Sequence, residues 1–348
     1  MNKYEIETAI IEELKSFMPS IKNVPFDKGL PLMQREAWRL ADKYDTDGAN
    51  VINIMMKSKK GLALVIANAD YLQQNKLPTC KKDGNDMQKV LEYLNFDVIS
   101  GSDLKRTSMY DLILKFLETA ELYSTILVYY TGHGVQIDGE NYFVPIDCEY
   151  KNSKAIFTET QLVGINAITD FMTANPSKTN IMILDACRSN PGFSKDVAGD
   201  GLTEVMAGNG TLIAFATAPN KVALASQNED ENSFYTKALL DNIVRPNIKI
   251  EDMFKSVRND VVLLSDGEQV PWENTSLNKD FYFNTMSQDE IDEQIYQSIR
   301  NNYAAETLVL LSRMTDYSIS DLLRVHTKQK SEKPGGIYFK RKAELEQY

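Results

Sequence analysis

Cysteine and histidine are both scarce in this chain: three cysteines, at 80, 148 and 187, and two histidines, at 133 and 326, among 348 residues. An odd number of cysteines at these separations builds no disulfide framework and suits a reducing compartment in which a free thiol survives. No two of the five side chains fall within the roughly two-to-five-residue spacing of zinc sites, so structural zinc is not expected and no metal site is assigned. Long apolar runs are missing too. The longest, Thr125–Tyr130, is far short of the roughly 18 residues of a membrane span. The N-terminus, Met1-Asn2-Lys3-Tyr4-Glu5, carries charge where a secretory signal needs an apolar core. The expectation is therefore a cytoplasmic protein without a membrane segment. Clustered positive charge is absent as well: a formal net charge of −11 disfavours nucleic acid as a partner and is compatible with a basic substrate. There is no internal repeat and no low-complexity tract.

From Gly61 to about Gly210 the chain alternates short β-branched runs with amphipathic stretches, the pattern of parallel strands joined by helical crossovers. Strands are expected at Leu62–Ala67, Phe96–Ser100, Thr125–Thr131, Asn180–Ala186 and Thr211–Thr217, apolar on both faces as a sheet covered by helices requires. Met87, Val90, Leu91 and Leu94 mark a helix between the first two. Ser108 with Asp111 reads as a capping box ahead of Leu112, Ile113, Phe116 and Leu117. Asp138-Gly139 reads as a two-residue hairpin turn between Val135–Ile137 and Asn141–Val144. Helices are expected at Phe234–Ile243 and Glu251–Leu264, with a last strand at Phe281–Phe283.

Residues 1–58 read as a small helical module: Ile6, Ile10, Leu14 and Phe17 form one stripe, and Pro31 opens a second helix carrying Met33, Ala37, Trp38 and Ala41. Residues 286–348 read as a mainly helical extension, opened by an expected capping box at Ser287 and Glu290 and ending in a lysine-rich segment.

Two motifs carry chemistry. Tyr129-Tyr130-Thr131-Gly132-His133-Gly134 places a histidine just past one buried strand, and Ile183-Leu184-Asp185-Ala186-Cys187-Arg188 places a cysteine just past another. Ligands bind at the carboxyl ends of parallel strands, so both side chains are expected to face one crevice. Singly, each is more often a packed core residue. Together they make a nucleophile and a base about 50 residues apart, the separation of the caspase signature.

With these residues the stretch from Lys60 to about Asn284 resembles the caspase-fold cysteine peptidases, and is most similar to their paracaspase and metacaspase branches, including bacterial orthocaspases. The matching pieces are Leu62–Asn68, Asn95–Val98, Tyr129–Gly134, Tyr142–Asp147, Leu184–Arg188 and Phe215–Pro219. The resemblance implies an α/β fold, a caspase-like α/β/α sandwich on a mostly parallel sheet over 59–285, between the helical module and the extension. It implies a cysteine endopeptidase with Cys187 as nucleophile, His133 as general base, and the N–H groups of Gly134 and Cys187 as oxyanion donors. Asp185 replaces the Gln of aspartate-cutting caspases. Two residues before Cys187, it shares that residue's strand face and suits an Arg, or a Lys, before the cut. Asp83 aligns with a second pocket acid of the relatives, and Asp86 is the alternative. A third acid of some paracaspases falls near Ala225, with Glu229 and Asp230 as substitutes. Trp272 resembles a loop tryptophan lining the cleft, with plain packing as the other reading.

The segment Ser189–Asn209 resembles the loop that many relatives cut during activation, with Lys195 or Arg188 as candidate self-cleavage sites. No cofactor is expected. Calcium activation, known among metacaspases, would have to use scattered acids such as Asp196 and Asp200. The terminal modules either cap the core or receive an activating protein or a small signalling molecule, as in relatives linked to regulated cell death and antiviral defence. The chain is expected to be a monomer or a homodimer. The rival reading is a catalytically silent caspase-like scaffold, for which Gly-His-Gly and Asp-Ala-Cys have no chemical use; a third is a cysteine hydrolase acting on a non-peptide bond.

Overall fold

In the computed structural model, the described residues are 6, 9–11, 13–14, 17, 20–21, 24, 26–57, 59–149, 154–187, 208–218 and 228–286. The C-terminal extension lies outside them.

The described positions between 6 and 21 are helical. They precede α1 (Phe26–Tyr44) and α2 (Gly48–Lys57). Then come β1 (Gly61–Ala67), α3 (Cys80–Tyr93), β2 (Phe96–Ser102), α4 (Arg106–Ala120), β3 (Thr125–Ile137), β4 (Glu140–Phe143), α5 (Lys154–Gln161), β5 (Val163–Gly164), α6 (Asn166–Ala174), β6 (Thr179–Cys187), β7 (Thr211–Phe215), α7 (Phe234–Ile243), α8 (Ile250–Leu264) and β8 (Trp272–Thr275). The main sheet runs β2-β1-β3-β6-β7-β8. Its first five strands are parallel and β8 is antiparallel to β7. β4 and β5 extend the end of β3 as a small antiparallel ribbon.

Alternation along the strands sorts the core into two layers. Leu62, Leu64, Ile66, Ile126, Val128, Met182 and Leu184 face α4 and α6. Ala63, Val65, Leu127, Tyr129, Ile181 and Ile183 face α3, α7 and α8. Period-2 side chains buried on both faces are what a sheet sandwiched between helices requires, and the expected α/β/α architecture follows. Ile10, Leu14, Met33, Ala37, Leu40, Val51 and Ile54, from the N-terminal helices, belong to the same apolar cluster as the first of these layers.

Several expectations are corrected. β3 does not stop at Thr131: it runs to Ile137, because β6 continues as its partner as far as the His133–Cys187 pair and β4 takes over from Gly134. Pairing overrides the weak strand preference of the two glycines. Asp138 and Gly139 turn the chain with φ of 53° and 88°, the type I′ geometry expected of Asp-Gly. The Ser108–Asp111 capping box falls inside α4, whose first N–H groups are capped from afar: Arg106 N–H donates to Asp147 Oδ1 at 2.9 Å. Pro31 lies within α1 rather than at its start, and Trp38, read as part of an apolar stripe, is 64% exposed. Phe281 and Phe283 form no strand. They are buried edge-to-face against each other, 5.1 Å between centroids, and the edge strand is Trp272–Thr275 instead.

Candidate active site

The carboxyl ends of β3 and β6 meet with Thr131 opposite Asp185 and His133 opposite Cys187. The two motifs are therefore neighbours by sheet register. Cys187 closes β6, and its thiol lies outside the described residues.

His133 is fixed at its main chain and at its ring. Its imidazole Nε2 is 2.7 Å from the carbonyl oxygen of Asn75. A carbonyl only accepts, so this nitrogen carries the hydrogen. Nδ1 is then the basic atom, and it is buried without a hydrogen-bond partner. Burial holds the imidazole pKa below its usual 6.5, against the opposing pull of the Asn75 carbonyl, so the ring is neutral at pH 7 and able to accept a proton. The Tyr71 ring lies 4.4 Å from it, tilted by 52°. Asn75 and Tyr71 belong to one loop after β1, closed at its neck by Leu77 N–H donating to the Ala69 carbonyl at 3.1 Å. Asp103 Oδ1 tethers that neck by accepting from the N–H groups of Ala69 and Asp70 at 2.9 and 2.8 Å.

Beneath the cleft stands a buried acid pair. Asp185 Oδ2 accepts from the Ser233 hydroxyl at 2.5 Å and from Thr236 Oγ1 at 2.7 Å. Asp83 Oδ1, on α3, accepts from Ser233 N–H and from Asn232 Nδ2, each at 3.0 Å. Ser233, the N-cap of α7, thus joins the two carboxylates through its backbone and its side chain. Asp83 Oδ2 is buried without a partner. Burial, aided by the nearby Asp185 charge, pushes the Asp83 carboxyl up to about 8, and burial raises Asp185 as well, against the hydroxyl bonds. No basic side chain hydrogen-bonds to either carboxylate among the described residues. Two buried carboxylates without a counterion are costly, and a cation entering between them would remove that cost.

The other predicted residues divide. Asp86 is not part of this pair. It is half-buried, bound to Lys82 and Lys89 and linked to Asp83 only through Asn232, at 3.3 Å. Glu229 and Asp230 are exposed in the turn before Asn232. Gly134 stands opposite Phe143 on β4, which fixes its main chain. Trp272, expected on a loop, opens β8 opposite Phe215, stacks on that ring at 5.9 Å and is partly buried. Cys80 and Cys148 are buried, and the Thr131 hydroxyl donates to Cys80 Sγ at 3.1 Å. Among the described residues no group of three His, Cys, Asp or Glu side chains is placed to hold a metal ion, and no helix is long and apolar enough to cross a membrane. Arg188, Lys195, Asp196, Asp200, Ala225 and His326 lie outside the described residues.

Four contributors escaped sequence reading: Tyr71, Asn75, Ser233 and Thr236. Only Ser233 left a signal, a serine three residues before a threonine at the start of an apolar helix. Asn75 acts through its carbonyl, which any residue supplies.

A family model described as Caspase domain matches residues 60–282. The chain is 25% identical over 207 residues to the human (Homo sapiens) Mucosa-associated lymphoid tissue lymphoma translocation protein 1, covering 59% of this chain and 24% of that protein. It is 27% identical over 178 residues to Caspase-1-A of Xenopus laevis, covering 49% of this chain and 44% of that protein. The chain thus spans less than half the length of these relatives. The crystal structure of Caspase-1 from Spodoptera frugiperda aligns with a TM-score of 0.49 and 18% identity, over 66% of this chain and 93% of that one.

Proposed function

The chain belongs to the caspase-domain family, and from that premise we propose that it is a cysteine endopeptidase cutting after basic residues, arginine above all. The observation that carries this reading is the register of β3 and β6, which sets His133 beside Cys187 and Asp185 one strand-repeat behind the nucleophile.

In this reading Nδ1 of His133 takes the Cys187 proton as sulfur attacks the scissile carbonyl carbon. The carbonyl π pair moves onto oxygen, where the N–H groups of Gly134 and Cys187 hold the oxyanion. The intermediate collapses by breaking the C–N bond, and the proton on Nδ1 passes to the leaving amine. A water molecule, deprotonated by the same nitrogen, then cleaves the thioester and restores the thiol. A guanidinium between Asp83 and Asp185 would bond to both carboxylates and neutralise them, which an aspartate side chain cannot do. Lys is accommodated by charge but without the bidentate geometry.

A regulated role in cell death or defence, and an activating partner or small molecule at the N- or C-terminal module, extend this reading. The test is a panel of otherwise identical peptides ending in Arg, Lys or Asp before a reporter amine, with wild type and Cys187→Ala. Cleavage is expected in the order Arg, then Lys, with Asp at background and all activity gone in the variant. Preference for Asp overturns the pocket assignment, and retained cleavage by Cys187→Ala overturns the nucleophile.

A further inference from the structure

His133 sits where β3 has outrun β1. The β1 pairing ends at Ala67 opposite Thr131, and Asn68 N–H reaches the Thr131 carbonyl at 3.0 Å. Beyond that point no β1 residue faces the histidine. Two buried phenols take the place of β1, together with the Val144 N–H, which donates to the His133 carbonyl at 3.0 Å. His133 N–H donates to Tyr71 Oη at 2.7 Å, and the Tyr130 hydroxyl donates to the His133 carbonyl at 2.6 Å. Together they form a clamp on the main chain: Tyr71 accepts from the His133 N–H and Tyr130 donates to the His133 C=O. Gly132 makes room for it, because a Cβ there would stand 2.7 Å from each hydroxyl.

We propose that Tyr71 is a positioning residue for the base: its hydroxyl holds the His133 main chain while the carbonyl of Asn75, four residues on in the same loop, holds the ring, so that Nδ1 is presented towards Cys187. The proposal rests on the peptidase reading for its consequence in catalysis, but the hydrogen bonds to His133 themselves do not depend on it. Displacing a base by about 1 Å costs on the order of 100-fold in rate. Losing the Tyr71 hydroxyl leaves a buried N–H without its acceptor, and the histidine must shift to recover one.

The test is Tyr71→Phe, which keeps the ring and removes the hydroxyl. For an arginine peptide kcat is expected to fall by about 10- to 100-fold with KM little changed, since the acid pair is untouched. With only two histidines in the chain, a His326→Gln background leaves His133 as the sole imidazole seen by nitrogen-15 NMR. It should show the Nε2–H tautomer in wild type and a growing Nδ1–H population in Tyr71→Phe. Tyr123→Phe is the control. It removes a buried hydroxyl bond, 2.7 Å to Asp97, at another place, and should lower Tm with kcat and imidazole signals unchanged. Should Tyr71→Phe not fold, Tyr130→Phe, which removes the hydroxyl donating to the His133 carbonyl, is expected to give the tautomer shift with a several-fold loss in kcat. An unchanged kcat and tautomer, or a loss that merely follows Tm as in Tyr123→Phe, overturns the proposal. A wild type that cleaves no peptide overturns the peptidase reading instead, and the imidazole spectra still decide the role of Tyr71.

Discussion

Under the proposed peptidase reading, Asp83 joins charge recognition to pH dependence. Its carboxyl, raised to about 8 by burial and by Asp185, binds a proton more readily in the folded chain than in the unfolded one, where it titrates near 4. The stability it contributes is therefore full below about pH 4 and is lost as pH rises towards 8. Asp83→Asn should flatten that part of the Tm-against-pH curve and raise Tm at pH 8. In catalysis the sign reverses, because binding a cation requires the ionised form. For an arginine peptide, kcat/KM in wild type should climb through about pH 8, and in Asp83→Asn it should lose this limb and fall by about 10- to 100-fold, the worth of one or two charge-assisted hydrogen bonds. Thermal melts and pH–rate profiles of the two proteins decide it; a variant with the wild-type pH limb would remove Asp83 from the pocket. The pairing of Asp83 with Asp185 was legible only as two acids of the right type. That Ser233 bridges them is a contact between residues 150 positions apart and has no local trace.

At the scale of elements, the site is made by where strands end. β3 is 13 residues long, and its surplus over β1 leaves the side of the histidine main chain away from β6 to Tyr71, Tyr130 and the Val144 N–H. The helix α4 shows the same reliance on distant partners, since its first turn is capped by Asp147 rather than by the local Ser108. Asp147→Ala should cost about 0.5–2 kcal/mol, the usual worth of an N-cap, with the Arg-over-Lys preference unchanged; Ser108→Ala should be near neutral. Chemical denaturation of the two variants measures both, and equal losses would show that the capping assignment is wrong. Local sequence spoke for Ser108 because capping boxes are local patterns. A cap delivered from another part of the chain is invisible to any window along it.

At the scale of the molecule, one apolar layer joins the N-terminal helices to the sheet: Ile10, Leu14, Leu40 and Val51 share a cluster with Leu64 and Val128. Leu40 is fully buried, so Leu40→Ala should destabilise by about 2–5 kcal/mol and lower a single calorimetric transition that includes the sheet. A separate early transition, with the main one unmoved, would show the helices to be an independent unit. The sequence by itself determined the parallel strands, the layer of helices on each face and the Asp-Gly hairpin, and it singled out Cys187, His133 and Asp185 at the ends of two buried strands. These are periodic or short-range signals, fixed by side-chain alternation and turn stereochemistry. Only the tertiary structure decided which acid pairs with Asp185, that Trp272 packs on Phe215, and that Tyr71 and Asn75 hold His133 at both ends. Those outcomes depend on strand register and loop closure, which bring together groups with no separation in sequence that a pattern could record.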